Sequence, residues 1–193
     1  MRVVAGKFRG RALATPPDGR VRPTSDRVRE AVFNILSHGI EDFDLAGSKV
    51  LDLFAGTGAL GIEAMSRGAT YCLFVEQDAD ARGLIRRNVE AFGLSGVTRI
   101  FRRDATDLGP AGSRDRCNLV FADPPYGKEL AEKALASAAT GGWLVPGAIA
   151  VVEEAERTVL RLPDGFEELD RRSWGETQVV FARFMASPAT RGE

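Results

Sequence analysis

The sequence predicts an α/β fold. Its centre is a mostly parallel, doubly wound sheet closed by an antiparallel hairpin, and a small basic extension of a hairpin and a helix precedes it. Three observations predict this. From Lys49 onward, short apolar runs alternate with segments of helical periodicity, as strands joined by crossover helices do. A glycine-rich turn links the first such run to a helix. Near the end, two strand-like segments are separated only by Gly175-Glu176, a hairpin signal.

The elements follow in order. Residues 3–14 hold short apolar pieces around Gly6 and Gly10 and read as a small hairpin. Residues 15–24 contain Pro and Gly and read as loop. Ser25 can then cap a helix, and Asp26 suits its first turn. Val28, Ala31, Val32, Ile35 and Leu36 give that helix one apolar face; His38 suits its carboxyl end and Gly39 stops it. Lys49–Leu53 reads as a buried strand, 58–67 as a helix ended by Gly68, and 71–76 as the next strand. Residues 78–92 form an amphipathic helix with Ala81, Leu84, Ile85, Val89 and Phe92 inward, ended by Gly93. Further strands are expected at 97–101, 118–122 and 148–153, with a helix at 130–139 between the last two. Phe166–Trp174 and Thr177–Phe184 make the closing pair, and 186–193 reads as a frayed tail. The expected organisation is an extension at 1–38, a main domain at 39–185 and the tail at 186–193.

Composition narrows the classes. At 193 residues and 44% apolar, the chain can bury a proper core. Its two cysteines, Cys72 and Cys117, are too far apart in sequence for a disulfide framework or a CxxC site, and are expected to be buried structural thiols. With no His/Cys cluster, no metal site is expected. The N-terminus lacks a signal-peptide apolar region, and no run approaches the roughly 18 apolar residues of a membrane helix. A cytoplasmic monomer with no membrane attachment is the expectation. Trp143 and Trp174 read as packing or surface residues. The net charge of −1 hides an asymmetry. Residues 1–38 carry eight basic and three acidic side chains, the remainder 18 basic and 24 acidic. A basic end on an acidic body suggests that this end meets an anion. Lys7, Arg9, Arg11, Arg20, Arg22 and Arg27 are the expected contacts to a nucleic acid.

Asp52-Leu53-Phe54-Ala55-Gly56-Thr57-Gly58-Ala59-Leu60-Gly61 matches G-x-G-x-x-G between a strand and a helix. Residues without Cβ let the backbone turn tightly beneath a cofactor. Glu76 ends the next strand about 20 residues on, where a carboxylate accepts ribose hydroxyls. Either a dinucleotide or S-adenosylmethionine fits this much. Asp52, at the carboxyl end of its strand, argues for the second, because it can meet an α-ammonium group. Asp104, after the strand at 97–101, is placed to meet an adenine amine. Phe54, Ala55, Thr57, Gln77 and Ala105 flank these positions and are expected to line the same site.

Asp123-Pro124-Pro125-Tyr126 follows the apolar strand at 118–122. The two prolines stiffen the backbone and remove two donors, leaving carbonyls as acceptors. A carboxylate with a rigid carbonyl can hold an exocyclic amino group by its two N–H bonds. Tyr126 offers a face for a base, a stack worth about 1–3 kcal/mol. Stacking does not need the hydroxyl, so replacing Tyr126 by Phe is expected to matter little.

With the Asp-Leu-Phe-Ala-Gly-Thr-Gly run, this tetrapeptide resembles the Rossmann-like amino-methyltransferases. Arg9-Gly10-Arg11 and the segment Arg22-Pro23-Thr24-Ser25-Asp26-Arg27-Val28-Arg29-Glu30-Ala31-Val32-Phe33-Asn34-Ile35-Leu36 resemble, within them, the RsmD-type family of bacterial 16S ribosomal RNA guanine-N2 methyltransferases. The likeness runs over about residues 1–185. It implies S-adenosylmethionine as methyl donor and one guanine of small-subunit RNA as acceptor, in a complete or partly assembled subunit. Arg22 and Thr24 are then candidates for closing over the cofactor. Three other readings stand beside this one. A DNA adenine or cytosine amino-methyltransferase would use the same chemistry, but only about 40 residues precede the core to read duplex sequence. A nucleotide-dependent oxidoreductase would leave Asp-Pro-Pro-Tyr without a role. A non-catalytic RNA-binding assembly factor would retain the fold alone.

Overall fold

A computed structural model describes residues 1–17 and 26–186. Ser25 as a cap, Arg20, Arg22, Thr24 and residues 187–193 of the expected tail lie outside the described residues. The chain divides into two compact units, Met1–Arg102 and Arg103–Glu193.

In the first unit, helix α1 (Asp26–His38) precedes β1 (Lys49–Leu53), α2 (Ala59–Ser66), β2 (Tyr71–Val75), α3 (Ala79–Ala91) and β3 (Thr98–Phe101). The strands lie in the order β3-β2-β1, all parallel, with Lys49 opposite Tyr71 and Cys72 opposite Thr98. Strands β1 and β2 are buried over their last four residues, the mark of a parallel strand covered on both faces. Helix α2 packs on β1 and β2, and α3 on β3. In the second unit, β4 (Cys117–Ala122), α4 (Leu130–Thr140) and β5 (Leu144–Ala155) are followed by β6 (Phe166–Trp174) and β7 (Thr177–Phe184). Their order is β4-β5-β7-β6: β4 and β5 are parallel, and β7 pairs antiparallel with both β5 and β6. The mostly parallel α/β fold with its antiparallel closing pair is as the sequence predicts.

Four details differ. Strand β5 begins at Leu144, ahead of the expected start at 148, and runs across Pro146 and Gly147; a register shift between Cys117 and Leu119 absorbs the irregularity. The 3–14 hairpin is reduced to a single bridge, Arg2 to Ala12, with flanking hydrogen bonds from Val3 N to Arg11 O and Leu13 N to Met1 O. Arg29 is buried in α1 with Val32, Phe33 and Leu36, so its charge is not part of a solvent-facing basic surface. The inward face of α3 includes the polar Arg82 and Asn88 beside Ile85 and Val89. Cys72 and Cys117 are buried free thiols, and Trp143 is buried with its indole N–H donating to Gly109 O at 2.8 Å. Among the described residues no helix is long and apolar enough to cross a membrane, and no cluster of metal-ligating side chains occurs.

Candidate functional site

The glycine turn is built where β1 ends. Phe54 takes a left-handed φ of 57°, which a bulky side chain adopts only under strain of about 1–2 kcal/mol. Gly58 caps α2 with a φ of 80°, a conformation glycine takes without that strain. Two carboxylates fix the turn. Glu76, half-buried just past β2, accepts the Gly56 N–H at 2.9 Å on one oxygen and the Asp78 N–H at 2.8 Å on the other. Asp52 is 2% exposed and accepts the Gly61 N–H at 3.0 Å. Burial pushes the Asp52 carboxyl up to about 8; the Gly61 hydrogen bond opposes this and the Glu76 charge adds to it. Ala55, Thr57 and Gly58 are buried, Phe54 and Gly56 half-buried, and Gln77 exposed.

Two residues, one holding this turn and one holding the turn after β2, were missed in the sequence. Asn88 donates to Thr57 O at 2.9 Å and to Ala14 O at 3.2 Å, and accepts from Ala14 N at 2.7 Å. Arg82 donates to the carbonyls of Glu76 and Gln77. Both stand on the core-facing side of α3, and a polar residue at an inward position of an amphipathic helix is the signal that could have found them.

These donors and acceptors fit a nucleoside-bearing cationic cofactor. Each Glu76 oxygen keeps a second acceptor lone pair for a ribose hydroxyl. The Asp52 carboxyl can ionise beside an ammonium group. In the second unit Asp104 is exposed; its Oδ1 accepts from the Thr106 N–H at 2.8 Å and from its hydroxyl at 2.7 Å, while Ala105 is buried.

The Asp-Pro-Pro-Tyr turn leaves the carboxyl end of β4. Asp123 and Tyr126 are half-buried, Pro124 buried and Pro125 exposed. The Tyr126 hydroxyl donates to Glu153 Oε1 at 2.5 Å and lies 3.3 Å from the Thr177 hydroxyl. Burial foremost, and then the Glu153 hydrogen bond, hold this phenol well above its usual pKa. The expectation that Tyr126→Phe matters little took no account of this bond, through which the hydroxyl ties the ring to β5. The next residue, Gly127, donates its N–H to Glu154 at 3.0 Å.

Of the expected nucleic-acid contacts, Lys7, Arg9, Arg11 and Arg27 are exposed. Arg11 stacks over Phe92 at 4.3 Å and Phe8 at 5.4 Å, and Lys7 lies 4.9 Å from the Phe8 ring. The arm is clamped to α2. Glu63 accepts the Val4 and Ala5 N–H groups at 2.8 and 3.0 Å and pairs with Arg67 at 2.8 Å and Arg29 at 3.7 Å.

Fold and turns together define a protein of the Rossmann-like methyltransferase class. The Escherichia coli protein yhhF superposes with a TM-score of 0.81 at 30% identity, over 97% of this chain and 99% of its own. The family described as Conserved hypothetical protein 95 matches residues 1–183, and the chain belongs to this family, the RsmD family. It is 33% identical to the ribosomal RNA small subunit methyltransferase D of Haemophilus influenzae, over 91% of this chain and 89% of that one. To the enzyme of the same name from Escherichia coli K12 it is 36% identical, over 84% and 79%.

Proposed function

We propose that this protein is an S-adenosylmethionine-dependent methyltransferase that modifies the exocyclic N2 of one guanine in 16S ribosomal RNA. The observation that carries the reading is the Asp-Pro-Pro-Tyr turn at the carboxyl end of β4, in a chain whose family relatives are named for small-subunit RNA methylation. Bound S-adenosylmethionine supplies an electrophilic methyl group on a cationic sulfur. Asp52 would meet its ammonium group, Glu76 its ribose and Asp104 its adenine amine, with Phe54, Ala55, Gly56, Thr57, Gly58, Gln77 and Ala105 around them. Asp123 and the Pro124 carbonyl accept the two N–H bonds of the guanine amine and so orient its lone pair. Asp123 also stands ready to receive the proton that the amine releases. Tyr126 stacks on the base, which must leave its own stack to reach the turn. Orientation of this kind supplies much of the acceleration, and no covalent intermediate with the protein is required.

The basic arm at 1–38 serves RNA docking through Lys7, Arg9, Arg11 and Arg27, with Arg20 and Arg22 in the same stretch of sequence. The substrate is a complete or partly assembled small subunit, and the protein acts as a monomer in the cytoplasm. Asp123→Ala tests the turn. It should abolish methyl transfer to small subunits while calorimetry shows cofactor affinity within about twofold of the parent, because proximity is lost and binding is not. Turnover equal to wild type in that variant would overturn the reading.

A further inference from the structure

We infer that Glu153 and Glu154 are positioning residues for the Asp-Pro-Pro-Tyr turn: Glu153 orients the Tyr126 ring through its hydroxyl, and Glu154 seats the backbone that follows. The inference rests on the reading of that turn as the amine-binding site.

The register explains how a strand reaches the turn. Strand β4 ends at Ala122, paired with Val152, but β5 continues to Ala155. The overhang carries Glu153 and Glu154 beside the residues that follow Ala122. On its other side the same overhang pairs with β7, Glu153 opposite Val179 and Ala155 opposite Thr177. Thr177 thereby comes within 3.3 Å of the Tyr126 hydroxyl, so two strands hold one phenol. A phenol bonded to a carboxylate at 2.5 Å is a short, charge-assisted contact that fixes the ring plane.

Glu154 is the stronger anomaly. Its side chain is fully buried, and Oε1 collects the N–H groups of Gly127 at 3.0 Å and Ala155 at 2.7 Å and the Thr158 hydroxyl at 3.4 Å. Its other oxygen, Oε2, is buried with no hydrogen-bond partner among the described residues. A buried carboxylate with an unpartnered oxygen is costly. Here the structure bears that cost where the carboxylate receives Gly127. Pro124 and Pro125 have no N–H to pin their own turn, so its far end must be held from outside.

The test compares Tyr126→Phe, Glu153→Ala, Glu153→Gln, Glu154→Gln and the double variant Tyr126→Phe/Glu153→Ala, assayed for methyl transfer to small subunits and for cofactor binding. Tyr126→Phe and Glu153→Ala should each lower kcat about tenfold, the scale of one missing charge-assisted hydrogen bond. The double variant should be no worse than either single one, since both remove the same bond. Glu153→Gln should recover part of the loss because an amide oxygen still accepts. Glu154→Gln should lower kcat as well, because its neutral amide is a weaker acceptor for the Gly127 N–H. Cofactor affinity should stay within about twofold of wild type throughout. A second readout does not need turnover. With Tyr71→Phe in the background, Tyr126 is the only phenol, and its ultraviolet titration should move down when Glu153 becomes Ala. Wild-type kcat in Glu153→Ala, multiplicative losses in the double variant, or an unmoved titration would overturn the inference for Glu153. Wild-type kcat in Glu154→Gln would overturn it for Glu154. A parent protein that methylates no RNA would overturn the proposed function, and this inference with it.

Discussion

At the scale of single residues, the site pairs a carboxyl whose pKa is raised by burial with carboxylates already engaged in hydrogen bonds. Folding raises Asp52 from an ordinary 3.8 to about 8. Across that window the folded protein holds a proton that the unfolded chain has released, so this group's contribution to stability declines as pH rises. The ligand-free parent should lose melting temperature between pH 5 and pH 8 relative to Asp52→Asn, which cannot ionise. Parallel melting profiles for the two proteins would contradict the burial argument. The placement of Asp52, Glu76 and the Asp-Pro-Pro-Tyr turn at strand ends was legible because it lies in local order: a strand, a turn residue, and the start of the next element. Glu153, Glu154, Arg82 and Asn88 were not. Each acts on residues 5 to 74 positions away, and only the register of strands or the facing of a helix brings them there.

At the scale of elements, close approach explains the third glycine of the turn. A Cβ on Gly61 would lie 2.5 Å from Phe74 and 2.6 Å from Cys72, because α2 is pressed onto β2. Gly61→Ala should therefore destabilise by about 1–3 kcal/mol in chemical denaturation, the usual scale of overpacking. An unchanged midpoint would show that α2 can withdraw. Asn88→Ala should cost about 1–3 kcal/mol as well, since it strands backbone groups of Thr57 and Ala14, and it should weaken cofactor binding through the loosened turn. Helices and central strands were readable to within a few residues because apolar period and glycine stops agree there. The first residues of β5 were not. Pro146-Gly147 disfavours a strand locally, and β5 spans it through a register shift against β4, with Leu144 paired to Cys117 before it and Ile149 to Leu119 after it. Likewise Glu63 reads as an isolated acid in an apolar helix; its partners Val4 and Ala5 lie 59 and 58 residues away.

At the scale of the whole molecule, charge is divided more finely than the sequence count suggests. Arg29 is withdrawn into α1 against Glu63 and Asp26, while Lys7, Arg9 and Arg11 stay on the surface of the arm. Replacing those three by Gln should weaken RNA binding and flatten its dependence on salt. The slope of log K against log[salt] should fall by about 0.7–0.9 for each phosphate that the arm no longer neutralises. Cofactor affinity should not change, and an unaltered salt slope would remove the arm from the docking surface. The central claim concerns the product. The most direct measurement is transfer of tritiated methyl groups by the purified protein to small subunits from cells lacking it, to naked 16S RNA and to duplex DNA, followed by digestion and identification of the labelled nucleoside. The account predicts N2-methylguanosine from the subunits; label in a methylated adenine or cytosine of DNA, or no label despite measurable cofactor binding, would contradict it.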